Sequence, residues 1–311
     1  MATIGVLFGM ENVFPGALVE RINATGAPGV TAEFVQIGGV KMEGPCPYRV
    51  VVDRISHDIP FYRAWLKTAA LGGAYVINNP YWSSADDKFF NYALAKRLGV
   101  AVPPTVLLPH KEHPPGTTDK SMRNLLYPLN WDEVFEYIGF PAFLKPFDGG
   151  GWRDVFQVKS RDEFFASYDQ TRTLCMTLQK AVNFTEYFRC YVVGQQHVHV
   201  MPYDPRAPFH ERYVKEPPAY APALLARVKK DALTLCRALG YDLNTVEFAV
   251  EDGVPYAIDF MNPAPDADPH SVGAENFAWI VDAVATFAVK KAQEPQLAPA
   301  YRWSAMLGGP R

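Results

Sequence analysis

The stretch TVEFAVEDGVPYAID, residues 245–259, has the pattern of a β-hairpin, with an apolar run on either side of a turn at Gly253. Two acids, Glu247 and Asp259, interrupt the apolar strands. Gly253 is the midpoint between them, so an odd-membered turn centred there predicts that the two carboxylates face each other on one side of the hairpin.

Two facing carboxylates repel each other unless a cation lies between them. Oxygen ligands that leave room for water and phosphate are typical of Mg²⁺ sites, and Asn262, just after the second strand, offers a third oxygen. The alternative is that both acids lie on a solvated outer face, because strand alternation also places polar residues there. The hairpin pattern alone leaves both interpretations open.

A second pattern, FLKPFDGGG at residues 143–151, places a lysine in an apolar run directly before a glycine-rich turn. A buried ammonium needs a partner, and the backbone N–H groups of Gly149, Gly150 and Gly151 can approach a phosphate closely. These features favour a phosphate-binding role for Lys145. A strand follows the turn, so the segment is not a Walker A loop. A plain hairpin turn beside an edge lysine is the alternative.

A third charged side chain, Arg189, enters the apolar strand pattern FRCYVVG at residues 188–194. A guanidinium there suits bidentate contact with a phosphate or a substrate carboxylate. The alternative is a salt bridge at a strand edge.

The first hundred residues alternate strand-like and helix-like segments, which predicts a small parallel α/β sheet. Ligands of such sheets bind beyond the carboxyl ends of the strands. Arg54 and His57 follow the strand-like run YRVVVD at 48–53 and are therefore candidate substrate contacts. The second half of the chain reads as α+β, with antiparallel hairpins beside helices at roughly 221–239 and 277–291.

Composition narrows the class of protein. The chain has 311 residues, 49% hydrophobic and 20% charged, which is ordinary for a globular protein of two or three lobes. A net charge of -3 with scattered Lys and Arg gives no indication of nucleic-acid binding. No run of about 18 apolar residues is present, so no membrane span is expected. The four cysteines lack CxxC spacing and the N-terminus lacks a signal-peptide pattern, so we expect a cytoplasmic location.

Several segments between residues 50 and 290 together resemble the ATP-grasp superfamily, most closely its glutathione synthetase and ribosomal-protein glutamate ligase branch. The segments that follow the superfamily's order are VINNP (76–80), DKF (87–89), PPT (103–105), FLKPFDGGG (143–151), LQKA (178–181), FRCYVVG (188–194) and the acidic hairpin. The resemblance implies an ATP-grasp fold, with an N-terminal parallel α/β lobe followed by two α+β subdomains that enclose ATP. The implied domains are an N-terminal lobe (1–105), a subdomain with a glycine-rich lid (106–182) and a subdomain with the metal-binding hairpin (183–311).

The resemblance also implies roles for individual residues. It implies that ATP is contacted by Lys88, Lys145, Gly149, Gly150, Gly151, Gln179, Lys180, Val182 and Glu186. It implies that Mg²⁺ is bound by Glu247, Asp259 and Asn262, and that Arg189 and Lys145 are catalytic. The implied substrate contacts are Arg54, His57 and Arg212. Asn262 lies three residues after Asp259, where the superfamily usually has two.

The activity implied by the resemblance is ADP-forming ligation of a carboxylate to an amine through an acyl phosphate, with ATP and Mg²⁺ as cofactors. The substrates would be a small-molecule carboxylate, such as an amino acid or short peptide, and an amine. A homodimer is compatible with the resemblance. The alternatives are an ATP-grasp small-molecule kinase, a nucleotide-binding regulatory protein without turnover, and an unrelated α/β protein that matches by chance.

Overall fold

The computed structural model describes residues 1–81, 87–148 and 150–295. They form two compact units, each made of separate stretches of sequence. The first unit comprises the described residues of Met1–Ala85, Tyr187–Val246 and Asn262–Arg311, and the second those of Asp86–Glu186 and Glu247–Met261. The division into three consecutive domains stays a prediction from the sequence.

The first unit opens with the predicted parallel α/β sheet. Its elements are β1 (Ala2–Leu7), α1 (Phe14–Ala24), β2 (Val30–Phe34), β3 (Val50–Asp53), α2 (Pro60–Leu71) and β4 (Tyr75–Ile77). All neighbouring strands are parallel, in the order β2-β1-β3-β4. The strand residues Ile4, Val6 and Val51 are fully buried, as expected for a parallel sheet whose faces are covered.

The second unit is built on an antiparallel sheet. Its elements, in chain order, are α3 (Lys88–Arg97), β5 (Thr105–Leu108), α4 (Trp131–Ile138), β6 (Ala142–Pro146), β7 (Phe156–Val158), α5 (Arg161–Gln170) and β8 (Met176–Lys180). The strands lie in the order β5-β8-β6-β7. Helices α4 and α5 cover the sheet with an aromatic core around Trp131, Phe135 and Phe164.

The remaining elements are β9 (Glu186–Val193), β10 (His197–Pro202), α6 (Pro222–Leu239), β11 (Leu243–Glu251), β12 (Val254–Asp259), α7 (Pro269–Val272) and α8 (Ala274–Gln293). The strands form a sheet of order β10-β9-β11-β12. Strand β11 belongs to the first unit up to Val246 and to the second from Glu247. Helix α6 ends at Gly240, whose φ of 73° is the left-handed cap that favours glycine.

The fold class predicted from the sequence is confirmed, because a parallel α/β sheet is combined with antiparallel α+β sheets. Within the described ranges, every helix is too short or too polar to cross a lipid bilayer.

Candidate functional site

Lys145 lies on β6 with its side chain buried in the second unit, 9% exposed. Its ammonium donates to the Tyr92 hydroxyl at 2.7 Å and to Gln179 Oε1 at 2.8 Å, two neutral acceptors. Burial, and then the charge of Lys88, lower the pKa of Lys145 to about 7, against the opposing charges of nearby acids. An anion beside this ammonium would restore its charge, which is the electrostatic property expected of a phosphate-binding lysine.

Lys88 is the first residue of α3, and two contacts fix its position. Asp87 caps the helix by accepting the Phe90 N–H at 2.6 Å, and the Lys88 N–H donates to the Phe147 carbonyl at 2.8 Å. The Lys88 ammonium lies 3.2 Å from each carboxylate oxygen of Asp259. The lysine side chain is 8% exposed and the aspartate 42%, so this ion pair sits at the margin of the interior.

The hairpin of β11 and β12 places Glu247 directly opposite Asp259, which confirms the predicted pairing. The predicted odd-membered turn is wrong. The chain turns instead through two residues, Asp252 and Gly253, with φ of 52° and 74°, because an Asp-Gly pair readily adopts the two positive φ angles of a tight hairpin turn. A β-bulge at Ile258 then supplies the extra residue that brings the two acids into register.

Asp259 is held in its ionised form. Burial opposes ionisation, but the charges of Lys88 and Lys145, with hydrogen bonds from Lys88 and the Met261 N–H, hold the pKa of Asp259 below its ordinary value. An ionised carboxylate opposite Glu247 is the oxygen-donor chemistry that suits Mg²⁺. Across the described part of the chain, no three His, Cys, Asp or Glu side chains gather to bind a metal by themselves.

The loop after β6 combines a left-handed backbone with an exposed aromatic ring. Gly149 lies outside the described residues. A side chain at Gly150 would meet nothing within 4 Å, and Gly151 has a φ of 65°. Trp152 and Asp154 also adopt positive φ, of 61° and 55°, which non-glycine residues rarely do. Trp152 is 65% exposed, so the backbone strain is not offset by burial of its ring.

The predicted adenine-binding segment lies at the end of β8 and beyond it. Gln179 is buried and bonded to Lys145, so its side chain supports that lysine. Lys180 is exposed, whereas Val182 and Glu186 are partly buried along the link into β9. Their roles in ATP binding stay predictions.

In the first unit, Arg189 lies on β9 between two tyrosine rings. Its Nη1 donates to the Tyr213 hydroxyl at 2.8 Å, and its guanidinium carbon lies 5.1 Å from the ring centre of Tyr203 and 5.7 Å from that of Tyr213. Strand β9 has a neighbour on each side, so the alternative of a strand-edge arginine is wrong.

The Arg54 side chain is completely buried, and its predicted role as a substrate contact stays a prediction. Its Nε donates to Glu11 at 2.9 Å, its Nη2 donates to Glu11 and to the Pro265 carbonyl, and its guanidinium carbon lies 4.7 Å from the ring centre of Phe14. A guanidinium needs an anion in the interior, and Glu11, in the loop after β1, provides it. Nη1 of Arg54 is buried without a hydrogen-bond partner among the described residues.

The other sequence candidates of this unit lie in loops. His57 is exposed in the turn after β3, and the Arg212 guanidinium donates to a carbonyl within its own loop. The Asn262 N–H donates to Asn244 Oδ1 at 2.9 Å. The bulge precedes Asp259, so it does not absorb the additional residue between Asp259 and Asn262. The predicted substrate and metal roles of these residues stay predictions.

Charged groups gather around the buried phenol of Tyr191 on β9. Burial and the charge of Asp266 raise the pKa of Tyr191, the charges of Arg189 and Arg54 oppose them, and Glu11 adds a smaller rise. The Tyr191 hydroxyl also donates to the Asp266 carbonyl. Two guanidinium groups and two carboxylates therefore act on one region of the first unit.

Solved structures with the same architecture cover almost the whole chain. A D-alanine–D-alanine ligase from Bacillus anthracis matches with a TM-score of 0.64 and 18% identity over 94% of this chain and 97% of that one. A RimK-domain ATP-grasp protein from Sphaerobacter thermophilus matches with a TM-score of 0.65 and 16% identity, over 93% of this chain and 100% of that one. The VanG D-Ala:D-Ser ligase from Enterococcus faecalis matches with a TM-score of 0.66 and 14% identity, over 94% of this chain and 99% of that one. The chain has the ATP-grasp fold.

Sequence comparison gives matches that cover less of the chain. No model of a known protein family matches the chain. The vancomycin C-type resistance protein VanC1 of Enterococcus gallinarum is 24% identical over 200 residues, which are 60% of this chain and 54% of that protein. An acetyl-CoA carboxylase of Dictyostelium discoideum is 25% identical over 142 residues, 42% of this chain and 6% of that protein. The chain therefore spans about half of the first relative and a small part of the second.

Two residues that contact the predicted site residues, Tyr92 and Glu11, were not predicted from the sequence. Tyr92 lies four residues after Lys88, so a helix beginning at Lys88 places both side chains on one face, and this spacing was a usable signal. Glu11 follows β1 at the carboxyl edge of the parallel sheet, where ligand-binding residues are expected.

Proposed function

We propose that the chain is an ATP- and Mg²⁺-dependent carboxylate–amine ligase that forms ADP and acts through an acyl phosphate. The observation that carries the proposal is the cluster of the second unit. There Lys88 holds an ionised Asp259 opposite Glu247, and the buried Lys145 has only neutral hydrogen-bond acceptors among the described residues. This set combines cations for phosphate with carboxylates for a metal.

In the proposed reaction, a substrate carboxylate oxygen attacks the γ-phosphorus of ATP and the bond to the β-phosphate oxygen breaks. ADP leaves, and the amine nitrogen then attacks the acyl carbon, so that the carbon–oxygen bond breaks and phosphate departs. Lys88 and Lys145 would neutralise the phosphates, and Glu247 and Asp259 would hold Mg²⁺, which supplies charge neutralisation when bound. Preorganised charge of this kind is the main contribution that a protein makes to phosphoryl transfer.

The charged groups around Tyr191 support an amino acid or short peptide as the acid substrate. Arg189 is complementary to a carboxylate and Asp266 to an ammonium, whereas the buried Arg54 and Glu11 already pair with each other. Two of the solved structures with this fold, D-alanine–D-alanine ligase and D-Ala:D-Ser ligase, are named for amino acids. The cytoplasmic location and the homodimer stay predictions.

The proposal is tested by ADP release from ATP and Mg²⁺ with pooled amino acids, short peptides and amines. We expect turnover only when an acid and an amine are both present, and loss of turnover in Lys145→Met and Asp259→Asn. Lys159→Met is the matched control, because Lys159 is an exposed lysine of the same unit.

An isotope experiment separates the ligase from the kinase and regulatory alternatives. A substrate labelled with ¹⁸O in its carboxylate should transfer one labelled oxygen to the released phosphate, because that oxygen bridges carbon and phosphorus in the acyl phosphate. Unlabelled phosphate excludes the acyl phosphate, a phosphorylated acceptor without free phosphate indicates a kinase, and binding of ATP without turnover indicates a regulatory protein.

A further inference from the structure

Tyr92 joins the two halves of the candidate ATP site in the second unit. It lies on α3, one turn after Lys88, and is 4% exposed. Its hydroxyl accepts from the Lys145 ammonium at 2.7 Å and donates to the Ile258 carbonyl at 2.5 Å. One phenol therefore contacts both the lysine strand β6 and the acidic strand β12.

The hydrogen-bond directions in this network are fixed. A phenol has a single O–H, and the Ile258 carbonyl, which has no donor, must receive it. Toward Lys145 the Tyr92 oxygen can therefore only accept. Gln179 is oriented in the same way, because its amide nitrogen donates to Thr105 and its carbonyl oxygen faces the lysine. Of the three N–H donors of the ammonium, these residues engage two, and the third has no acceptor among the described residues, so it can bind an anion.

The Ile258 carbonyl belongs to the bulge that sets the acidic pair in register. Ile258 precedes Asp259 directly, and the ladder is shifted at this residue, so its backbone depends on contacts outside the hairpin. Helix α3 provides two of them, the Tyr92 hydroxyl to Ile258 and the Lys88 ammonium to Asp259. The ring of Tyr92 also packs edge-on against Phe260, at 5.6 Å between centroids.

We propose that Tyr92 is a positioning residue of the ATP site, which aims one N–H of Lys145 at a phosphate and fixes that lysine relative to the bulge at Ile258 that sets the two acids in register. The inference rests on the proposed function. Tyr92 acts through Lys145 and Ile258 and is not assigned a contact with the substrate.

The test compares Tyr92→Phe with Tyr168→Phe. Tyr168 is also buried in the second unit, also 4% exposed, and its hydroxyl also donates to a backbone carbonyl, that of Pro109. Each variant removes one buried phenol–carbonyl bond, but only Tyr92→Phe removes an acceptor of Lys145. We expect Tyr92→Phe to weaken ATP binding about tenfold, the effect of one hydrogen bond to a charged group, and Tyr168→Phe to change it less than about twofold.

Two further readouts separate positioning from a merely structural effect. In kinetics, Tyr92→Phe should raise KM for ATP and also lower kcat, because Lys145 would contact phosphate both in bound ATP and in the transition state, whereas a loss of folded protein would lower kcat alone. In a double-mutant cycle, Tyr92→Phe should have almost no effect on ATP binding when Lys145 is already methionine. If Lys145→Met binds ATP too weakly to measure, the comparison of the two phenylalanine variants and the changes in KM and kcat decide.

The outcomes distinguish the inference from the proposed function. If the unmodified protein does not bind ATP, the proposed function fails. If it binds ATP and Tyr92→Phe binds it equally well, or if both phenylalanine variants weaken it equally, the positioning role of Tyr92 is overturned while the proposed function stands.

Discussion

Replacement of Lys145 by methionine should change the pH dependence of stability in a direction that follows from the burial of the ammonium. The pKa of Lys145 falls from 10.5 to about 7 in the folded protein. A shift of this size corresponds to about 5 kcal/mol of unfavourable ionisation in the fold, at about 1.4 kcal/mol per pH unit. Methionine has a similar length and no charge, so Lys145→Met removes this unfavourable contribution to the stability of the fold.

The sign follows from proton binding. Between pH 7 and 10.5 the unfolded lysine keeps a proton that the folded lysine has released, so stability rises with pH in this window. Near pH 6 almost the full 5 kcal/mol opposes folding, and near pH 9 only about 2 kcal/mol remains. Between pH 6 and 9, the free energy of unfolding of the unmodified protein should therefore rise by about 2 to 3 kcal/mol relative to that of Lys145→Met.

Urea unfolding followed by tryptophan fluorescence at several pH values measures this difference. Trp131 is partly buried against the core of the second unit and reports on its unfolding. Lys159→Met removes an exposed ammonium, so a plot of its free energy of unfolding against pH should run parallel to that of the unmodified protein. Curves for Lys145→Met that also run parallel, within about 0.5 kcal/mol, would refute the assignment of a buried, weakly compensated ammonium to Lys145.

Three further perturbations test other parts of the chain. Asp259→Asn leaves Lys88 without its counter-ion, so the free energy of unfolding should fall by about 1 kcal/mol. Calorimetric titration should show that the variant has lost Mg²⁺-dependent ATP binding, and unchanged binding would show that Asp259 is not part of the site. Glu11→Gln takes the anion from the buried Arg54 guanidinium and should lower the free energy of unfolding by about 2 kcal/mol in urea, whereas a neutral effect would show that the ion pair is dispensable. Trp152, exposed in the glycine-rich loop, should change its fluorescence when ATP is added, and Trp152→Phe should abolish that change; a signal that persists in the variant assigns it to another tryptophan.

The pairing of the two acids was predictable because it depends on alternation and register within fifteen residues. The turn was not predicted correctly, because two local preferences compete in the same segment. Asp252-Gly253 favours a two-residue turn, whereas facing acids at 247 and 259 require an odd count. The chain satisfies both with the bulge at Ile258, and no pattern in the sequence marks a bulge there.

The partners of buried charges were the least predictable part of the site. Lys145 could be recognised as an unusual lysine, but its acceptor Tyr92 is 53 residues away and becomes a neighbour only when α3 packs on the sheet. Arg54 was identified as a candidate substrate contact by its place after a strand, and that rule does not show which partner its charge has in the fold. Its burial depends on Glu11, 43 residues earlier, which lies in the loop after the parallel neighbour strand β1.

The charges of the second unit also indicate which form of nucleotide it suits. Lys88 and Asp259 neutralise each other, so a phosphate alone would compete with Asp259 for the lysine, and a cation alone would compete with Lys88 for the carboxylate. A ligand that brings both charges replaces both partners at once, and its remaining negative charge restores the ionisation of Lys145, whose pKa burial has lowered. The cluster is therefore better matched to a metal–nucleotide complex than to either component, and ATP affinity should fall as the pH rises above about 7, where the free protein has lost the Lys145 proton.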